Sequence, residues 1–451
     1  MKRERVKTIT LIFLSLLSIF LTWNIWTFQP NFDYIPKSKY FEPEDLTATT
    51  KQLSDVVKPV QIFYHENKQH QGTFDPGVIN KVWNKMSTWD IRNSRQVSDQ
   101  FKNGFLNWVQ GEDGKRKVEL VFSDEIPTGT FQSIFSKWKD KAVLYSSFDR
   151  IVIPLDDDDK NSGWSKIYFV SYFHRQVLEA TVKQADVRQL DKGAFSRLSD
   201  FQGYFAERIT PDNMLMLPKK PLTLNRFDYE TMVYNADEFK QVLFTSELLN
   251  QEKGLNKVEY TDTSHLLVVF NNDHKMTFSS LFKPSLTSDR ATSIQQSIDY
   301  LNNHGGWTNQ YVFYKIDTNR IQSVSFRLMM ENGLPVFPSE INQFGPTDII
   351  EEWGNNDIAQ YIRPTYKLSS KLRSPQTTIE SGEELMKILQ KRTDLYNPEN
   401  VKRIFPGYEM SAKENMLVSI DPVWFMETKT GLIQAIHFSE NGIRGKNGGL
   451  E

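Results

Sequence analysis

The chain has 451 residues, 54 of them Lys or Arg and 56 Asp or Glu, with a formal net charge of −2 and no cysteine. This excludes disulfides, zinc–thiolate centres, thiol nucleophiles and a cysteine-linked lipid anchor, and the near-neutral balance offers no basic footprint for nucleic acid. Apolar residues at 39% and aromatics at 13% are enough for hydrophobic cores, and more than 400 residues beyond the N-terminal segment predict roughly two to four domains.

The first element is an uncharged run, Thr8 to Phe32, preceded by a tail with Lys2, Arg3, Arg5 and Lys7 against Glu4. At about 1.5 Å per residue, roughly 20 apolar residues cross a hydrocarbon core of about 30 Å. Ile9 to Phe28 has that length without Gly or Pro and ends in Trp23, Trp26 and Phe28. A cleaved signal peptide needs a shorter apolar core and small residues at the cut, whereas no alanine occurs before Ala48. The segment therefore reads as a retained membrane helix. The basic tail is expected to stay in the cytoplasm, which sets the C-terminal bulk outside the cell membrane, with 50 Lys and Arg against 55 Asp and Glu.

At about 100° per residue, Thr8, Leu11, Ser15, Ser18, Thr22 and Ile25 share one stripe of this helix, with Phe13, Leu17 and Phe20 opposite. Small and hydroxyl side chains let a second helix approach and hydrogen-bond, so Leu11, Ser15, Ser18, Thr22 and Ile25 are the candidate binding residues. Hydroxyls bonding back to their own carbonyls are the plainer alternative.

Gln29 to Pro36 reads as a stalk, because its two prolines stop the helix and favour extended backbone. A strand over Val57 to Tyr64 is expected at a sheet edge because of Pro59. Asp75-Pro76 caps a helix whose apolar face is Val78, Ile79, Val82, Trp83, Met86 and Trp89. Strands follow at Val118 to Phe122, Arg150 to Ile153 and Lys166 to Phe173, with a short helix at Gln132 to Lys141. Pro211 to Leu224 lacks a period and marks a boundary.

Next come a helix over Asp237 to Leu249 and strands at Val258 to Thr261, His265 to Phe270 and Lys275 to Phe278. A helix over Thr292 to Leu301 presents Ile294, Ile298 and Leu301 and ends at Gly305-Gly306. Strands at Tyr311 to Ile316, Ile321 to Met329 and Leu334 to Phe337 include an Asn332-Gly333 hairpin signal. The last segment has a helix capped at Ser381 carrying Leu385, Ile388 and Leu389, then strands at Met416 to Ile420, Trp424 to Glu427 and Leu432 to Phe438.

The expected class is α+β: one transmembrane helix followed by three mixed extracytoplasmic domains, the last two alike in following a helix with an antiparallel meander. The expected divisions are a cytoplasmic tail 1–8, membrane helix 9–28, stalk 29–36, and domains 37–217, 218–342 and 343–451.

No catalytic or metal pattern holds together. Ser136-Lys-Trp-Lys139, Ser280-Leu-Phe-Lys283, Lys429-Thr-Gly431 and Ser439-Glu-Asn441 carry the letters of penicillin-recognising serine enzymes, but Ser-Glu-Asn follows Lys-Thr-Gly instead of preceding it. Lys429-Thr-Gly431 reads as a turn between strands. Asp157, Asp159 and Asn161 space like a calcium loop, but Tyr168 stands at the twelfth position where a bidentate Glu is required. The histidines lack metal-ligand spacing; His65 and His70 are five apart in a polar turn region. No metal, no cofactor and no enzymatic activity are expected.

The run from Thr10 to Pro30, with Ser297 to Trp307 (SIDYLNNHGGW), Leu334 to Phe337 (LPVF) and Pro422 to Phe425 (PVWF), resembles the YycH (WalH) family of low-GC Gram-positive bacteria over nearly the full chain. The resemblance implies an accessory regulator of the WalK/WalR (YycG/YycF) two-component system, which adjusts cell-wall metabolism. It also implies that the chain acts with a sister membrane protein, YycI, on the sensor histidine kinase through membrane helices. An extracytoplasmic ligand-binding or structural module of a wall-synthesis or division assembly is the alternative.

Overall fold

The computed structural model describes residues 49–438, apart from 139, 141–145, 157–161, 245–248, 283–289, 318–321 and 355–356, together with Lys7, Ser15, Leu17 and Ser18. The chain divides into two compact units, Met1–Glu42 with Thr245–Glu247, and Pro43–Phe244 with Leu248–Glu451. In the first, the four described residues are helical and exposed. The rest of the expected span 9–28 and the stalk 29–36 lie outside the described residues. Among the described residues no helix is long and apolar enough to cross a membrane.

In the second unit the N-terminal strands are β1 (Gln61–Glu66), β2 (Gln69–Thr73), β3 (Arg92–Gln96), β4 (Lys117–Pro127), β5 (Ser147–Pro154), β6 (Trp164–Ser171), β7 (Gln176–Lys183), β8 (Gln202–Thr210) and β9 (Asn213–Pro218). They form one sheet in the order β3-β7-β6-β5-β4-β1-β2-β8-β9, and every neighbouring pair is antiparallel. The edge position expected for β1 is corrected: it lies between β2 and β4. Pro59 precedes the first strand residue, so its missing N–H costs the ladder nothing. The aperiodic segment after Pro211 contains β9, which is buried at five of its six positions and so shows no alternation.

The helix Pro76–Met86 starts where the Asp75 carboxylate accepts the Val78 N–H at 2.9 Å. It buries Ile79, Val82, Trp83 and Met86, with Trp83 edge-on to Phe122 and Phe135. Burying each such aliphatic side chain is worth roughly 1.5–3 kcal/mol. The helix expected over Gln132 to Lys141 runs instead from Thr128 to Ile134, turning directly out of β4 at Pro127.

From Leu222 the pairing partners change. One eight-stranded sheet has the order Asn250–Lys253, Lys257–Thr261, His265–Phe270, Lys275–Ser280, Ile358–Pro364, Asp348–Trp353, Gln322–Leu328, Tyr311–Asp317. A six-stranded sheet has the order Val336–Pro338, Val401–Ala412, Leu417–Thr428, Phe227–Val233, Tyr366–Arg373, with Ile433–Ile436 beside Leu417–Thr428. Leu222–Asn225 and Gln376–Ile379 form a two-stranded ribbon. All three sheets draw strands from both sides of 342/343, so a boundary there is corrected: the segments 218–342 and 343–451 are interleaved. The strands Asp348–Trp353, Ile358–Pro364, Tyr366–Arg373, Gln376–Ile379, Val401–Ala412 and Leu417–Thr428 do the interleaving, and the sequence analysis anticipated only the last of them.

Two expected strands, Met416 to Ile420 and Trp424 to Glu427, are one strand, Leu417–Thr428. Pro422 is tolerated within it because Phe227–Val233 pairs only up to Ile420 and Ile433–Ile436 pairs only from Trp424. Its missing N–H falls in the gap between these two neighbours. The Asn332-Gly333 turn forms, with Gly333 at φ +81°, but the flanking contact is a single bridge, Met329 to Pro335. Val336–Pro338 then leaves to run parallel to Val401–Ala412, so the hairpin signal marks a turn and no continuing hairpin.

The C-terminal helices follow their capping chemistry. Ala236–Leu243 and Gly382–Leu389 both carry capping boxes, Asn235 with Glu238 and Ser381 with Glu384. Ile294, Ile298 and Leu301 of the helix Arg290–Asn303 are wholly buried. In the last turn of that helix, Asn302 accepts the Lys51 N–H and donates to its carbonyl, at 3.0 and 2.9 Å, tying the incoming chain to the C-terminal half. The Lys51 ammonium sits over Trp307 and donates to the Tyr311 carbonyl at 2.9 Å. The landmark SIDYLNNHGGW is thus a clamp on the N-terminal entry of the second unit.

Candidate functional site

Ser15 and Ser18 of the expected interface are described as helical and exposed. Being three residues apart, they are neighbours on one helix face. Leu11, Thr22 and Ile25 lie outside the described residues.

The second unit brings together charged residues that the sequence analysis left apart. His65 and His70 face each other across the β1–β2 hairpin, wholly buried, with Nδ1 atoms 2.9 Å apart. His65 Nε2 lies 3.1 Å from Glu119, and His70 Nε2 lies 2.9 Å from Glu112. Three such contacts need three N–H protons, and two neutral imidazoles supply two. With both imidazoles neutral, one of the three contacts is therefore short of a proton. Burial, and then His65, hold the His70 imidazole below its ordinary range. The pair is a strand–turn–strand pair, and the helical spacing test passed over it.

Glu119 also accepts from Arg150 Nη1. Burial opposes its ionisation, yet Arg150 and then His65 outweigh that and keep the carboxyl low. Arg150 lies over the Tyr172 ring at 4.2 Å and 3.5 Å from Asp149. Asp149 accepts the Tyr172 N–H at 2.8 Å, but burial pushes its carboxyl up to about 6, against Arg150.

Beside this cluster a cleft opens between the nine-stranded sheet and the C-terminal half. Its wider chamber, about 440 Å³, has Asp124, Glu125 and Asp149 on the sheet side and Lys402, Arg403 and Lys429 on the other. A narrower chamber of about 120 Å³ is mostly apolar and includes Met214, Met329, Leu334 and Phe405. Both chambers share Val121, Ser123, Arg150, Lys402 and Arg403. The floor is stitched by Ser123 Oγ donating to the Phe313 carbonyl at 3.0 Å and the Ile316 N–H donating to Asp124 at 3.2 Å. Lys402 and Arg403 are held from behind by Glu427 at 2.9 and 2.6 Å. Burial raises the Asp124 carboxyl, against Lys402, and takes the Tyr314 hydroxyl up to about 12.

Lys429-Thr-Gly431 is the expected turn: Gly431 has φ +86°, and Thr428 Oγ1 accepts the Leu432 N–H at 3.1 Å. Lys139, Lys283 and Ser439 to Asn441 lie outside the described residues, as do Asp157 to Asn161. Among the described residues no group of three or more His, Asp and Glu side chains is placed to hold a metal ion.

Two family models match: YycH protein, N-terminal domain, over residues 4–199, and YycH protein, C-terminal domain, over residues 212–442. The chain belongs to the YycH family. It is 33% identical over 464 aligned positions to the two-component system WalR/WalK regulatory protein YycH of Bacillus subtilis (strain 168), covering 100% of both chains. The crystal structure of YycH from Bacillus subtilis superposes with a TM-score of 0.74 at 31% identity, covering 86% of this chain and 97% of that one. The family landmarks are spread through the fold: Trp307 and Asn302 clamp Lys51, Leu334 lines the cleft, and Pro422 sits in the gap of the long strand.

Proposed function

We propose that this chain is a membrane-anchored, non-enzymatic regulator of a WalK-like sensor histidine kinase, working with a YycI-like membrane protein. The observation that carries the reading is the full-length 33% identity to a relative named as a WalR/WalK regulatory protein. In this reading Ile9 to Phe28 spans the cell membrane, the tail is cytoplasmic and the second unit is extracellular. The stripe Leu11, Ser15, Ser18, Thr22 and Ile25 meets partner helices within the bilayer. A tenfold shift of a two-state kinase needs about 1.4 kcal/mol of differential binding, and interhelical hydroxyl contacts of roughly 0.6–2 kcal/mol each are of that order.

The test replaces Ile9 to Phe28 by a poly-leucine helix of equal length in the chromosomal copy, with a reporter driven by the response regulator and surface display checked in parallel. Output at the deletion level with normal display supports helix contacts, and the double variant Ser15→Leu/Ser18→Leu should then reproduce it. Wild-type output with the poly-leucine helix refutes the bilayer mechanism.

A further inference from the structure

The cleft has walls of opposite charge built from different parts of the fold. Asp124, Glu125 and Asp149 come from β4 and β5; Lys402, Arg403 and Lys429 come from the six-stranded sheet and its turn. A ligand carrying only negative charge meets the acidic wall, and one carrying only positive charge meets the basic wall. Lys429 is exposed at the rim and has no ion-pair partner among the described residues, whereas Lys402 and Arg403 are already oriented by Glu427, and Lys402 also reaches Asp124 of the opposite wall at 3.7 Å, where the two walls meet. The basic wall is therefore preformed, with one free cation. The wider chamber is of ligand size, since small-molecule sites typically occupy roughly 300–1,000 Å³. The adjoining apolar chamber of about 120 Å³ is close to a cavity of about 150 Å³ that accepts benzene, and so has room for one aliphatic side chain.

We propose that this cleft binds a short zwitterionic peptide, its carboxylate on the Lys402, Arg403 and Lys429 wall, its ammonium on the Asp124 and Glu125 wall, and one aliphatic side chain in the inner chamber. The site is independent of the membrane helix, so its failure leaves the bilayer reading standing, and the converse holds too. No bond is made or broken.

The test is titration calorimetry on the full chain in mild detergent, using the free dipeptides Ala-Val, Ala-Leu and Ala-Met, each also as its N-acetyl and C-amide form. At least one free dipeptide should bind saturably with millimolar or better affinity. Both of its blocked forms should bind at least tenfold more weakly, a difference of about 1.4 kcal/mol. Lys429→Glu should weaken binding severalfold, and Val121→Trp, which fills the junction of the two chambers, should abolish it. Urea midpoints identify any variant that fails to fold, in which case Ser123→Leu at the same junction replaces Val121→Trp. No saturable binding to folded wild type, equal affinity for a blocked form, or binding that survives a folded junction variant overturns the proposal.

Discussion

Replacing Asp149 with Asn should make the protein more stable at neutral pH and leave it unchanged in acid. The Asp149 carboxyl titrates near 6 in the folded chain against an ordinary value of 3.8, because burial disfavours its charge more than Arg150 and the Tyr172 N–H favour it. The folded state thus binds the proton more tightly, and this contribution to stability is fully present below 3.8 and lost as pH rises through 6. At about 1.4 kcal/mol per pH unit, the gap amounts to roughly 3 kcal/mol. Asparagine keeps an acceptor for the Tyr172 N–H but carries no charge at any pH. Equilibrium urea unfolding of wild type and Asp149→Asn, at intervals from pH 4 to pH 8, isolates the effect because the other titrating groups cancel in the difference. The variant's advantage should grow from near zero to roughly 2–3 kcal/mol across this range. A difference that is flat with pH, or a variant less stable at pH 7, refutes the reasoning and makes the Arg150 attraction dominant over burial.

Glu119→Gln leaves the Arg150 guanidinium buried against the weaker partner Asp149, so unfolding free energy should fall by about 3–5 kcal/mol, whereas the double change Glu119→Leu/Arg150→Met should recover most of the loss. Gly333→Ala should cost about 2 kcal/mol or more by denaturant unfolding, because its φ is +81° and the added Cβ would stand 2.5 Å from the Phe74 carbonyl oxygen. Ile298→Ala, at a wholly buried helix position, should cost about 2–5 kcal/mol in the same assay. Glu351 is wholly buried with its carboxyl pushed far above the ordinary range by desolvation, so the stability of Glu351→Gln relative to wild type should rise with pH in urea unfolding, because the raised carboxyl stabilises the fold only while it keeps its proton and the amide has none to lose.

What could be read from the sequence followed from local rules. Asp75, Ser381 and the pair Gly305-Gly306 announce helix ends through backbone groups that only certain side chains or turns satisfy, and Ile294, Ile298 and Leu301 announce a buried face through their spacing. The strands that escaped notice break those rules for tertiary reasons. β9 is buried at nearly every position, so it has no alternation to detect. Asp348–Trp353 places Glu351 in the core, and Val401–Ala412 carries Pro406 and Gly407 within a strand. The cleft was hidden for a related reason. Asp124 and Lys402 are 3.7 Å apart in space but far apart in the chain, and only the docking of the six-stranded sheet beside β4 makes them neighbours. The His65–His70 pair needed only a strand period in place of a helical one, since a two-sided hairpin turns residues five apart into cross-strand partners.

The interleaving of the C-terminal sheets sets a timetable for synthesis. The nine-stranded sheet is complete once Pro218 has emerged, and an early-finished unit of this kind can fold while the rest of the chain is still being made. Phe227–Val233 has no such freedom: its neighbours are Tyr366–Arg373 and Leu417–Ile420, so it waits unpaired until Arg373 has been made and is flanked on both sides only once Ile420 has. A premature stop between Pro218 and Ile420 therefore yields a chain with a finished first sheet and unfinished strand edges behind it, and an earlier stop leaves that first sheet itself incomplete; both are ends of the kind that invite aggregation or quality-control proteolysis. Selection against nonsense and frameshift changes should consequently be nearly as severe at residue 410 as at residue 100.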